Sequence, residues 1–269
     1  MQKLIDKRHQ KRFLSVAWTA VRAGEKEAMR LYDVNHASAY GYKKNREIVT
    51  RADMRVNKTV IRALKKLTPD IPVCSEEGAD MGPSKIADAE LAWVLDPIDG
   101  TTNFAARLPL WGISLALMRR GEPIIGVISL PPLKHRYHAI KGKGAWFGKR
   151  RLHVSDTKLL SESVSLLCFG YGDADLRQGL HVIKRVADKV RAMRRLGAAV
   201  IESAWIASGR ADFTILNGVK PWDVGAGALL VREAGGKAVN LKGRDWTPKD
   251  ADIVMTTPKL LRSVLRLLD

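Results

Sequence analysis

The chain has 269 residues, 46% of them hydrophobic, and its 46 Lys and Arg outnumber 28 Asp and Glu to give a formal net charge of +18. Such a length and apolar content describe a globular chain with a sizeable core, in one large or two small domains. The longest apolar runs, Ile124 to Leu130 and Val224 to Val231, are far too short to cross a bilayer, and the charged first residues do not read as a signal peptide, so a cytoplasmic location is the expectation.

From Ile5 to Arg30 the positions Phe13, Val16, Ala17, Ala20 and Val21 recur at helical spacing and predict a long amphipathic helix. Val56, Val60, Ile61, Leu64 and Leu67 predict a second helix, which Pro69 and Pro72 end before a short strand at Val73, Cys74 and Ser75. Glu76 and Glu77 follow that strand. Trp93, Val94 and Leu95 predict a buried strand broken by Pro97 and Gly100. Gly112 to Met118 and Ile124 to Leu130 predict a hairpin, which the Gly-punctuated stretch Tyr137 to Phe147 extends as an antiparallel meander.

Ser163 to Phe169 predicts a further strand, and Gly170 to Asp175 a polar loop. Beyond it, helices are predicted over Leu180 to Val190, Ala198 to Ser208 and Val224 to Ala234, with a strand at Ala211 to Leu216. This change of pattern places a domain boundary near Ser155: an N-terminal α+β domain over 1–155, a C-terminal α/β domain over 156–269, and a site between them. Cys74 and Cys168 lie far apart with no metal-ligand spacing, as expected of reduced, buried thiols. The excess charge thickens in Lys3 to Arg12, Lys43 to Arg55, Lys141 to Arg151 and Lys184 to Arg195 and would draw polyanions. No aromatic interleaving or nucleic-acid motif accompanies these runs, so they read first as solvated basic faces.

The densest chemistry lies in Val94-Leu-Asp-Pro-Ile-Asp-Gly-Thr-Thr-Asn-Phe104, where Asp96 and Asp99 stand at the mouth of an apolar strand. Carboxylate oxygens so placed suit hard cations, and backbone N–H groups of Gly100, Thr101 and Thr102 at a helix start suit an anion beside them. Alone, the segment also admits a plainer reading, an Asp-Pro turn with a capping Asp. Three other segments also set acids beside strand ends or helix starts: Asp53, Glu76 with Glu77, and Asp223, which is expected to be the N-cap of the helix that follows it.

Together these segments resemble the inositol monophosphatase family of magnesium-dependent, lithium-sensitive phosphatases. The resemblance rests on Asp96-Pro-Ile-Asp-Gly-Thr-Thr-Asn-Phe104, Trp222-Asp-Val-Gly-Ala-Gly227, Glu76-Glu77, Ile48-Val-Thr-Arg-Ala-Asp53 and Lys141-Gly-Lys-Gly-Ala145. It implies a layered αβαβα sandwich of the inositol monophosphatase and fructose-1,6-bisphosphatase type, and a homodimer. It also implies two or three Mg2+ per site. Glu76, Asp96 and the Ile98 carbonyl would hold the first ion, and Asp96, Asp99 and Asp223 the second. Thr101 paired with Asp53 would help deprotonate the water, a further weak metal site near Glu76 would help orient it, and Gly100 and Thr101 would steady the phosphoryl oxygens.

The chain departs from the family pattern where inositol is read. Leu216 replaces a Glu seven residues before the Trp-Asp aspartate, and Gly197-Ala198 replaces a Gly-Thr pair. Asn217, Lys220, Arg194 and Arg195 are candidates to contact another polyol or a second phosphate. The expectation is a phosphatase acting on a small phosphate monoester, inositol monophosphate or a sugar phosphate. Fructose 1,6-bisphosphate, histidinol phosphate and 3'-phosphoadenosine 5'-phosphate are alternatives, and an RNA- or transcription-associated regulatory protein is the alternative of another class. No membrane partner is expected.

Overall fold

The structure is a computed structural model that describes residues 7–32, 40–42, 48–78 and 80–268. The start of the first predicted helix at Ile5 and the basic residues Lys3, Lys43, Lys44 and Arg46 lie outside the described residues. The first half runs α1 (Lys7–Tyr32), β1 (Tyr40–Tyr42), β2 (Ile48–Thr50), α2 (Arg51–Leu67), β3 (Val73–Ser75), β4 (Ala92–Asp99), α3 (Thr101–Ala105), β5 (Gly112–Arg119), β6 (Glu122–Leu130), β7 (His135–Ile140), β8 (Gly144–Phe147) and β9 (Arg150–Arg151). β3 to β9 form one sheet in sequence order, antiparallel except for the β3–β4 pair. A meander of this kind follows from tight turns such as Arg120-Gly121, where both residues take positive φ.

The second half runs β10 (Val164–Phe169), α4 (Asp173–Val186), β11 (Ala192–Arg194), α5 (Ala199–Ala207), β12 (Phe213–Asn217), α6 (Pro221–Glu233), β13 (Lys237–Val239), β14 (Asp252–Thr256) and α7 (Leu261–Arg266). Its sheet has the order β11-β10-β12-β14-β13, parallel across the first three strands and antiparallel beyond.

Alternation along each strand sorts the side chains into three cores. Trp93 and Leu95 of β4, with Leu115 and Leu117 of β5, pack against α1 and α2. Val94, Ala116 and Met118 point the other way, onto α5 and α6, whose opposite sides meet Leu166, Leu216 and Met255 of the second sheet. Leu167, Ile215 and Val254 face outward under Val182 and Val186 of α4 and Val264 of α7. The result is five layers, αβαβα. The middle helices are buried on nearly all sides and mostly apolar, with Glu202 the one fully buried acid of α5, as befits helices between two sheets. They also sit close: a Cβ on Gly225 would stand 2.4 Å from Met118 Cε, and one on Gly227 2.4 Å from Ser203 Oγ.

Several boundaries differ from the sequence expectation. α4 begins seven residues earlier than Leu180 and ends at Val186, because Asp173 and Asp175 occupy its first turn while Leu180 is exposed. α6 begins at Pro221, so Asp223 is its third residue and not its N-cap; Lys220 holds the cap position and its N–H donates to Asp223 Oδ2 at 2.6 Å. Short elements such as β1, β2, β11 and β13, at three residues each, were below the length at which periodicity speaks.

Candidate active site

The cleft opens at the end of β4, between the two sheets. Its walls include Glu76, Asp96, Ile98, Asp99, Gly100, Thr101 and Thr102 from the first half and Cys168, Phe169, Tyr171, Arg195, Gly197, Leu216, Asn217 and Asp223 from the second. A regular strand would turn Asp96 and Asp99, three apart, to opposite faces. The β4–β5 register shifts between them: Asp96 pairs with Ser114 and Asp99 with Gly112, so two residues face one. That bulge restores both carboxylates to the cleft side and leaves Ile98 buried in the outer core. Gly100 then turns the chain at φ +89°, where a Cβ would stand 2.9 Å from the Leu110 carbonyl oxygen.

Thr101 opens α3 with its hydroxyl 3.1 Å from both Asp53 Oδ1 and the Ile98 carbonyl oxygen. Asp53 itself does not line the cleft; it stands behind Thr101, in the first turn of α2. There Thr50 accepts from the Ala52 and Asp53 N–H groups while Asp53 Oδ2 accepts the Thr50 N–H at 2.8 Å. Such a reciprocal cap fixes the carboxylate in one orientation. Burial pushes Asp53 up to about 6, opposed by the Thr50 bonds and helped by the charges of Glu77 and Glu76.

Asp96 is the electrostatic centre. Burial raises its carboxyl well above the ordinary value, and Glu76, Asp99, Asp223 and Asp53 each push it further up. Asp99 is raised to about 7 by burial, while N–H groups of Val200, Gly100 and Ala199 favour its charged form. Its Oδ2 accepts from Val200 N–H at 2.5 Å, so it also caps α5 from another element. Among the described residues no three such side chains close on a single point as a ready cage. Asp99 and Asp223 are turned toward backbone N–H groups instead. The donor set nonetheless fits a hard divalent cation, since oxygen ligands gathered around a buried carboxylate repel one another until positive charge joins them.

The sequence-predicted substrate residues sort unequally. Gly197, Leu216, Asn217 and Arg195 line the cleft; Arg194, Lys220 and Ala198 do not. Ala198 is buried at the N-cap of α5, its Cβ facing Gly100, so its lack of a hydroxyl leaves the cleft wall itself unchanged. The Gly100 N–H is directed at Asp99, which leaves the first-turn N–H groups of Thr101 and Thr102 for an anion. Arg195 lies over the Phe169 ring at 4.1 Å, a cation–π stack that holds the guanidinium over an otherwise apolar wall of Cys168 and Leu216.

Three residues, Asn103, Tyr171 and Glu202, were not singled out from the sequence. Asn103 Nδ2 donates to the Leu110 and Leu196 carbonyls at 2.6 and 2.8 Å, tying α3 to the loop before α5. Its place in the Asp96–Phe104 segment was the available signal. Thr102 and Tyr171 hydroxyls meet at 3.2 Å across the cleft. Glu202 is completely buried in α5, accepts from Thr214 Oγ1 at 2.7 Å, and burial pushes it up to about 8. Both cysteines are free, and Cys168 is only half-buried.

A family model described as the inositol monophosphatase family matches residues 9–268. A fructose-1,6-bisphosphatase/inositol-1-monophosphatase of Thermotoga maritima is 33% identical over 200 residues, 74% of each chain. A protein named Nus factor SuhB from Pasteurella multocida is 28% identical over 253 residues, 94% of each. The crystal structure of the extragenic suppressor protein suhB of Bartonella henselae superposes with a TM-score of 0.87 at 28% identity, covering 95% of this chain and 98% of that one.

Proposed function

Because the chain belongs to the inositol monophosphatase family, we propose that it is a magnesium-dependent phosphatase that hydrolyses a small phosphate monoester carrying a second anionic group. The observation that supports this most is the buried Asp96 carboxylate with Glu76, Asp99 and Asp223 gathered around it, beside the Thr101–Asp53 pair. Glu76, Asp96, the Ile98 carbonyl, Asp99 and Asp223 would be the oxygen donors for Mg2+. When bound, the ions supply charge neutralisation for the phosphoryl group and leaving alkoxide and a lowered pKa for bound water.

The chain's own groups account for the rest. Thr101 donates its proton to Asp53 Oδ1, which leaves hydroxyl lone pairs to accept a proton from the attacking water. Asp53 at about 6 is ionised near neutral pH yet basic enough to draw that proton through Thr101. Thr101 and Thr102 N–H groups hold phosphoryl oxygens in place as charge shifts between them. On the leaving-group side, Leu216 offers no acceptor to a sugar hydroxyl, while Arg195 offers a fixed fork to an anion. This favours a bisphosphate-type substrate over myo-inositol monophosphate. The same reading carries lithium competition at a magnesium site and a homodimer in solution.

The test is phosphate release from inositol monophosphate, fructose 1,6-bisphosphate, histidinol phosphate and 3'-phosphoadenosine 5'-phosphate, with magnesium and with chelator. Turnover that requires magnesium and is fastest on a substrate with two anionic groups is the expected result. Equal or faster turnover of inositol monophosphate overturns the leaving-group assignment. Absence of turnover on all four, with a salt-sensitive RNA complex present, favours the second reading, a transcription-associated protein, which the name of the Pasteurella relative and the +18 charge support.

A further inference from the structure

A second cavity, of ≈ 510 Å³, lies between α1 and the β6–β7 connection and shares no lining residue with the cleft. Arg22, Glu25, Lys26 and Met29 present one face of α1 to it, and Ser129, Pro131, Lys134, His135 and Arg136 form the opposite wall. Its one acid, Glu25, is buried at 7% exposure and fully engaged. Oε1 accepts from Ser129 Oγ at 2.5 Å and Arg136 Nε at 3.0 Å, and Oε2 from Arg136 Nη2 at 2.6 Å.

A buried carboxylate with a two-pronged guanidinium is costly to desolvate and is a poor choice for packing alone. Here it has a geometric result: Arg136 is held by two bonds while about half of its side chain stays exposed, on the cavity wall. The other cations facing the cavity, Arg22, Lys26 and Lys134, have no acidic partner among the described residues. The next acid along the helix, Glu27, is already occupied by Arg30 and Arg55. Four cations against one anion leave three net positive charges in a concave site.

We propose that this cavity binds a compact polyanion of the condensed-phosphate or bisphosphate class, independently of the catalytic cleft. Arg136 on its Glu25 support engages one phosphoryl group, and Arg22, Lys26 and Lys134 close around the next. The experiment is calorimetric titration of the whole protein with tripolyphosphate, in chelator so that no metal bridges the ligand to the cleft. One-site binding is expected, weakened about tenfold or more by Lys26→Glu and by Lys134→Glu, retained by Lys134→Arg, and falling with salt. Lys237→Glu, a reversal at the exposed first residue of β13, is the charge control and should bind as wild type. All of these side chains are exposed, so folding is not at stake, and a thermal melt of each variant checks it. Unchanged affinity in Lys26→Glu and Lys134→Glu, or an equal loss in Lys237→Glu, overturns the site. Complete displacement of tripolyphosphate by single-stranded RNA at equal phosphate concentration overturns the ligand class in favour of a phosphodiester chain.

Discussion

The two walls of the cleft are built on different principles. The wall from the first half is polar and over-determined: a bulge aims Asp96 and Asp99, a left-handed glycine turns the chain, and a reciprocal cap orients Asp53 behind Thr101. The wall from the second half is mostly apolar, with Cys168, Phe169 and Leu216 around a single stacked guanidinium. Reaction chemistry demands fixed oxygens at fixed distances, which tolerates little substitution. Selection among substrates demands only a surface of the right polarity, which a single residue can change.

The sharpest way to break this division is at Asp96. Asp96→Asn removes a donor from the centre of the acid cluster and should lower magnesium-dependent turnover roughly 100-fold or more, on every substrate alike. Retention of a tenth of the wild-type rate would remove Asp96 from the centre of the reaction.

Beneath the selective wall, Glu202 provides a second test. Its folded value of about 8 lies above the ordinary 4.5, so between those values the native state holds a proton that the unfolded chain has released. Its contribution to stability is therefore complete below about pH 4.5 and lost as pH rises through about 8. Metal-free protein should lose on the order of 4 kcal/mol more between pH 5 and pH 9 than Glu202→Gln does, read from urea midpoints. Parallel pH profiles in the two proteins would show that the buried carboxyl does not titrate in this way.

Smaller effects should separate the walls on substrate choice. Arg195→Ala should raise KM for a bisphosphate about tenfold while kcat changes little, because the group is remote from the reacting atoms. A fall in kcat with KM constant would move Arg195 into the reaction itself. Smallest, Leu216→Glu should shift the ratio of kcat/KM values severalfold toward inositol monophosphate, since one new acceptor at a half-polar wall is worth about 1 kcal/mol. An unchanged ratio would take that position out of specificity.

The first wall was legible in the sequence almost in full, because its devices are local. Proline, glycine and paired aspartates within nine residues announce a broken strand with two carboxylates at its end, and the acids at 53, 76 and 223 carry their own short contexts. What local pattern misplaced was the role of Asp223, since Pro221 is as good a first helical residue as Asp223 is a cap. The second wall was only half legible. Arg194 and Arg195 are adjacent and alike in sequence, and only the Phe169 ring, 26 residues away, decides which one enters the cleft. Ala198 likewise looked like a substrate position until Gly100 was seen to occupy the space in front of it. Pairing across such distances is a property of the sheet order, which no single segment records.

The close-fitting middle layer has a mechanical meaning. α5 and α6 pack on both sheets at once, with glycines allowing contact too tight for an added methyl group, so neither half can swing away from the other without tearing a shared core. Among the described residues, no hinge therefore separates the two sheets. Among the described residues, adaptation to a ligand falls to the rims of the cleft, the loop at residues 170–172 and the segment at 195–198, rather than to motion of one half against the other.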